Sequence, residues 1–157
     1  MKNKLLALFL LVAISLLSFC SCDLFNGNVD LFGEFTVVVE NSDGTYDVFE
    51  TNLEMVMNKK EGTKGVIEHL NQRNDSFYLE MVDSTYGAYV SAIGSIKEDN
   101  SAQTYVIVYT SLESDSYPGA PTLEYEGITL YQAGVGLSGM SAKANGIVLF
   151  RLEKSPY

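Results

Sequence analysis

Few side chains in this 157-residue sequence could carry covalent or metal chemistry. There is one histidine, His69, and there are two cysteines, Cys20 and Cys22. A general base needs a group to orient it and a nucleophile within reach. His69 has neither in the sequence, which contains no Gly-x-Ser-x-Gly and no His-Glu-x-x-His. It reads as a solvated or half-buried helix residue. Glu113-Ser114-Asp115 and Glu98-Asp99 could hold calcium loosely, and Asn41 to Asp47 lacks the acid spacing and closing Glu of an EF-hand loop. On a chain of net charge −10, scattered loop acids are expected to be solvated. The expectation is a protein that is not an enzyme, with no metal site and no required cofactor.

The cysteines belong to a different argument. Lys2 and Lys4 precede an apolar run from Leu5 to Leu17, broken only by Ser15. A bilayer span needs about 20 apolar residues, so this run suits the h-region of a secretory signal better than a membrane helix. The two cysteines that follow resemble the lipobox of bacterial lipoproteins, where a cysteine becomes the lipidated first residue. Cys20 follows Phe19, whereas Cys22 follows the small Ser21, which selects Cys22. The competing readings are an uncleaved anchor, or a cleaved signal with a disulfide between the two cysteines. Cleavage before Cys22 removes Lys2 and Lys4 and no acid, so the charge moves from −10 to −12. Such a surface repels nucleic acid and anionic headgroups, leaving the acyl chain to hold the protein to the membrane. The expected location is the bacterial cell envelope, facing outside the cytoplasm. The expected organisation is a signal at 1–21, a tether at 22–33 and one domain at 34–157.

Binding suits the composition better than catalysis. The chain has ten tyrosines and no tryptophan, and eight of the tyrosines fall between Tyr78 and Tyr131. Tyrosine offers a flat apolar ring with a polar tip, useful on a wet binding surface, yet it is also a good strand former.

The elements that must position these rings are mostly strands. Glu34 to Glu40 is β-branched and aromatic, and Asp43-Gly44 turns it into the alternating TYDVFET, a hairpin signal. Leu53 to Met57 alternates and reads as extended. The period then changes: Thr63 can cap a helix carrying Val66, Ile67 and Leu70 and ending near Arg73-Asn74, although Gly65 in the first turn disfavours it. Strands are expected at 77–82, 88–96, 104–111, 128–133 and 146–152. Polar turns fall at Lys97 to Ala102, a long loop at Ser111 to Pro121, and a small-residue stretch at Ala133 to Asn145. In TYGAYVSAIGSI, period 2 puts Tyr86, Ala88, Val90, Ala92 and Gly94 on one face and Gly87, Tyr89, Ser91, Ile93 and Ser95 on the other. The first face is small and apolar; the second could serve as a shelf for a ligand.

Three segments, GTKGVIEHLN, TYGAYVSAIGSIKEDNSAQTYVIVYTS and ITLYQAGVGLSGMSAKANGIVLFRLE, resemble in order and spacing the C-terminal β-domain of transcobalamin and gastric intrinsic factor. Tyr89, Ser91 and Ile93 match that family's Tyr-x-Ser-x-Ile core. Thr104 and Tyr105 match its Thr-Tyr step, with Val106 standing where the family has Trp. Leu130 and Gln132 match its Leu-x-Gln pair, with Tyr131 between. The resemblance implies an α+β, β-grasp-like fold, a mostly antiparallel or mixed sheet packed on one short helix. It implies a lipoprotein carrying this domain alone, capturing a soluble ligand for a transporter, cobalamin or another corrinoid being one candidate. The implied site is Tyr89, Ser91, Ile93, Tyr105, Val106, Leu130, Tyr131 and Gln132. The alternative is a surface module that binds protein or glycan. A pocket beside Tyr89, Val106 and Gln132 favours the small ligand; a flat, exposed tyrosine patch favours the macromolecule.

Overall fold

The computed structural model describes residues 29–154; Cys20, Cys22 and the expected signal lie outside the described residues. Among the described residues, nine strands and one α-helix follow one another as β1 (Glu34–Glu40), β2 (Tyr46–Asn52), α1 (Gly62–Arg73), β3 (Leu79–Ser84), β4 (Gly87–Ile93), β5 (Ile96–Lys97), β6 (Thr104–Thr110), β7 (Thr122–Tyr125), β8 (Ile128–Gln132) and β9 (Gly146–Lys154). They form two sheets. One is six-stranded and mixed, in the order β2-β1-β9-β6-β8-β7; the other is three-stranded and antiparallel, β3-β4-β5. The class is α+β, with the strands divided between two sheets. No helix among the described residues is long and apolar enough to cross a membrane.

The centre of the large sheet is the parallel pair β1–β9, with Val37 opposite Val148 and Val39 opposite Phe150. Val37, Val38 and Val39 are all fully buried, because both faces of this pair are covered. Strands buried on both faces read as continuous apolar runs rather than alternating ones. Phe35, Val37, Val39, Val148 and Phe150 face the main core, where they meet Val66, Ile67 and Leu70 of α1 and Ala88, Val90 and Ile93 of β4. The other face carries Val38 and Leu149, which join Tyr109, Tyr125 and Leu130 in a second cluster. That cluster is enclosed by curvature. Five strand spacings would separate β2 from β7 by about 24 Å in a flat sheet. Instead Tyr46 of β2 and Tyr125 of β7 meet edge to face, with ring centroids 5.2 Å apart.

Several local expectations change. Leu53–Met55 is a 3-10 turn and not a strand, burying Leu53 and Val56 at i and i+3. Thr63 lies inside the first turn of α1 and does not cap it; Glu61 occupies that position without a side-chain bond. The free N–H groups there are met from a distance: Thr63 N–H donates to Met140 O at 2.9 Å and Lys64 N–H to Leu137 O at 3.1 Å, while Thr63 Oγ1 donates to Ser141 O. Gly65, unfavourable by propensity, is explained by contact: a Cβ there would stand 2.3 Å from Asn58 O. Strand β7 and its turn at Glu126-Gly127, both with positive φ, were not anticipated, since β7 buries only Tyr125 and carries little apolar pattern. Val29 to Gly33, within the expected tether, lies on the body. Val29 bridges to Ala142, Asp30 N–H donates to Ala142 O, and Asp30 pairs with Lys143 at 3.2 Å.

Candidate functional site

A cleft opens at the seam between the two sheets. Ala88 and Tyr89 of β4, Val106 to Val108 of β6 and the segment Gln132 to Leu137 line about 180 Å³. Its origin is incomplete strand pairing. β6 pairs with β9 along its whole length but with β8 only at Tyr109 and Thr110. Its outer edge is therefore met piecemeal: Thr104 exchanges backbone bonds with Asp99, Val106 N–H donates to Glu98 Oε1 at 3.4 Å, and Val108 O accepts from Ala133 N–H at 2.9 Å. On the facing side, β5 covers β4 only at Ala92 and Ile93. The edge at Tyr86 and Ala88 is taken by a loop, Gly136 N–H donating to Tyr86 O and Leu137 N–H to Ala88 O. Gly136 is required for this approach, because a Cβ would come within 2.7 Å of Tyr86 O.

The walls are apolar and the lip is polar. Val106 and Leu137 are buried at the base, whereas Tyr89 is 45% exposed and Val135 47%. Gln132 is fixed by Tyr117, whose hydroxyl donates to Gln132 Oε1 at 3.2 Å. Outside the cleft, the open face of the small sheet continues with Tyr78, Val82 and, at the tip of the β3–β4 hairpin, Tyr86, which is 90% exposed. On this face Glu80 pairs with Lys97 at 3.0 Å and accepts from the Tyr78 hydroxyl. These partners hold the Glu80 carboxyl below its usual range, the Tyr78 bond contributing most.

Of the eight residues expected at the site, the cleft brings together Tyr89, Val106 and Gln132. Ile93 is fully buried in the main core and Leu130 in the second cluster. Ser91, Tyr105 and Tyr131 are half-buried and do not line the cleft. Ile93 departs from the shelf because β4 carries a bulge. Glu80 stands opposite Ala92 and Met81 opposite Val90, so Ser91 is an extra residue without a partner position. One inserted residue reverses the alternation beyond it. Ile93 thus turns inward with Ala88 and Val90, and Ala92 turns outward, where the Glu80–Lys97 pair spans it. Sequence reasoning missed Ala133, Val135, Gly136 and Leu137. Their signal was the small-residue stretch after Gln132, which lets a loop press against a strand edge.

The acids singled out in the sequence have local partners. Asp99 accepts from Ser101 and Ala102, and buried Asp115 accepts from Ser141 N–H at 2.7 Å, tying two loops together. No group of three or more His, Cys, Asp or Glu side chains converges among the described residues. His69 is largely covered by α1 and its neighbours; burial foremost, then the charge of Arg73, lowers its pKa.

No family model matches the chain, and no curated protein matches it. Solved structures do. A candidate metal-binding protein from Ruminococcus gnavus superposes with a TM-score of 0.52 at 17% identity, over 78% of this chain and 98% of that one. Haptocorrin, of the transcobalamin family, does so in its complex with Cbi, with a TM-score of 0.52 at 13% identity. The fold is loosely transcobalamin-like. The match covers 78% of this chain and 25% of haptocorrin, so the chain corresponds to about a quarter of that protein. At such identities the similarity is one of fold alone.

Proposed function

We propose that the chain is an envelope lipoprotein, acylated on Cys22 and facing outside the cytoplasm, whose seam cleft binds a soluble ligand for uptake, a corrinoid being the first to test. The observation that carries this reading is the meeting of Tyr89, Val106 and Gln132, far apart in sequence, around one apolar cleft with a polar lip. The fold shared with haptocorrin, itself solved with Cbi, supports the choice of ligand, and the β-grasp-like packing of sheet on helix belongs to the same reading. A cleft of about 180 Å³ falls below the roughly 300–1,000 Å³ that encloses a small molecule. It would grip one edge of a corrinoid and leave the rest against Tyr89, Val135 and Tyr117, so affinity stays modest until a transporter or another surface protein closes the site. No residue is assigned a catalytic role, and no cofactor is needed.

Titration of the purified chain with cobinamide and cobalamin tests this. Saturable binding is expected, weakened by about tenfold or more, roughly 1.4 kcal/mol, in Tyr89→Ala and Gln132→Ala. Absence of saturable binding to the wild type overturns the corrinoid reading.

One observation favours a second reading. Tyr78, Val82, Tyr86 and Tyr89 leave a tyrosine-rich face open on the small sheet, suited to a protein or glycan. Tyr86 does not line the cleft, so Tyr86→Ala separates the two: lost glycan or protein capture with intact corrinoid binding selects the macromolecular partner.

A further inference from the structure

We propose that Leu31, Phe32, Met55 and Met57 form a face that rests on a phospholipid bilayer and turns the cleft away from it. Single exposed apolar side chains are ordinary, but four on two adjoining segments are not. Phe32 is 68% exposed and Met57 91%, with Leu31 and Met55 also open to solvent. Two hydrogen bonds join the segments that carry them: Leu53 N–H donates to Gly33 O at 2.9 Å, and Lys59 Nζ donates to Leu31 O at 3.3 Å.

What covers this face is argued from the chain that leads into it. Leu31 is nine residues after Cys22. Fully extended, nine residues reach at most roughly 32 Å, so an acylated Cys22 holds the face within that distance of the bilayer. Asp30 fixes the entry point, its carboxylate accepting from Ala144 N–H at 2.8 Å and pairing with Lys143. The adjoining charges nearly balance: Lys59 and Lys60 stand against the exposed Glu34 and Glu54, while Glu61 pairs with Lys64, so the face presents no net charge to oppose a zwitterionic headgroup layer. The strand registers set the orientation. Phe32 precedes the start of β1, where Phe35 pairs with Gly146, whereas the cleft residue Val108 stands opposite Phe150, itself opposite Val39. The four residues from Phe35 to Val39 put the cleft about 13 Å further along the strands.

The proposal rests on the lipid-anchor reading for Cys22, and its test separates the two. The chain contains no tryptophan, so Phe32→Trp, Met57→Trp and Tyr86→Trp each give a single reporter. The full chain, recovered from membranes, is reconstituted in phosphatidylethanolamine–phosphatidylglycerol vesicles with or without brominated acyl chains. Strong bromolipid quenching is expected for the reporters at 32 and 57, and none for the one at 86. Equal quenching at all three, or none at 32 and 57 in chains that float with the vesicles, overturns the proposal. Failure of the chains to float overturns it as well, and mass spectrometry of Cys22 in the same sample shows whether the anchor reading fails with it. Unchanged melting of the three variants excludes misfolding as the cause.

Discussion

The β1–β9 pair and strand β4 are built on opposite terms. β1 and β9 have no free face: Val37, Val38, Val39, Val148, Leu149 and Phe150 are all fully buried. β4 packs Ala88, Val90 and Ile93 inward and leaves Tyr89 half in water. At the six central positions of β1 and β9 both faces are packed with apolar side chains, and the polar Thr36, Glu40, Arg151 and Glu153 stand outside them, so this stretch serves to hold the molecule together. Strand β4 has a spare face, a bulge and an edge met by a loop, and there the fold leaves room for a ligand. On the proposed reading, stability and binding are thus divided between strands, and substitutions can test how cleanly.

Phe150→Ala on β9 should have the largest effect. Removing a fully buried aromatic from the centre of the main core is expected to cost about 3–5 kcal/mol, read as a large fall in the urea midpoint. A loss near 1 kcal/mol would mean that the central pair is not the structural spine described here. Ile93→Ala comes next, at about 2–5 kcal/mol, with ligand affinity unchanged in the fraction that folds. If instead it proves stable and binds poorly, the bulge at Ser91 does not turn Ile93 inward. For Tyr89→Ala the ordering inverts: stability should fall by under about 1 kcal/mol while binding weakens more. A melting shift comparable to that of Ile93→Ala would erase the contrast between the two faces of β4.

The smallest effect concerns pH. Burial foremost, and then the charge of Arg73, put the folded pKa of His69 below the usual value near 6.5. The unfolded chain therefore binds the proton first, and stability is complete above about pH 6.5 and declines as pH falls below it. His69→Gln should flatten that decline without touching binding. An unchanged slope would assign the acid sensitivity elsewhere, with Asp30 the next group to replace: Ala144 and Lys143 depress its pKa, so its contribution is lost at lower pH still.

How much of this was readable followed from how locally each residue is determined. EFTVVVE is a strand with the expected boundaries because its burial on both faces writes an uninterrupted apolar run. The hairpin at Asp43-Gly44 was legible because its turn chemistry is local. The start of α1 was not, since its N–H groups are satisfied by carbonyls some 75 residues away, at Leu137 and Met140. The reversal at Ser91 was equally hidden, because a bulge is a property of the pairing with β3 and leaves no mark on β4 itself. For the site, Tyr89, Val106 and Gln132 were picked out by resemblance and fall on the cleft, while Leu130, picked out by the same Leu-x-Gln match as Gln132, points into the second cluster. Motif positions convey neighbourhood in the fold; which side of a strand they occupy depends on register.

The meeting of Tyr46 and Tyr125 bears on how copies of this protein behave when crowded. An open sheet ends in two strands whose unused backbone groups invite another chain to pair, and long, flat edges seed aggregation. Here the rolled sheet leans its two ends toward each other, and β7 is only four residues long. The β7 end therefore offers no long ladder to a neighbour, and at the seven-residue β2 edge Tyr46 is turned onto Tyr125. Curvature thus limits edge-to-edge pairing as well as packing the second cluster.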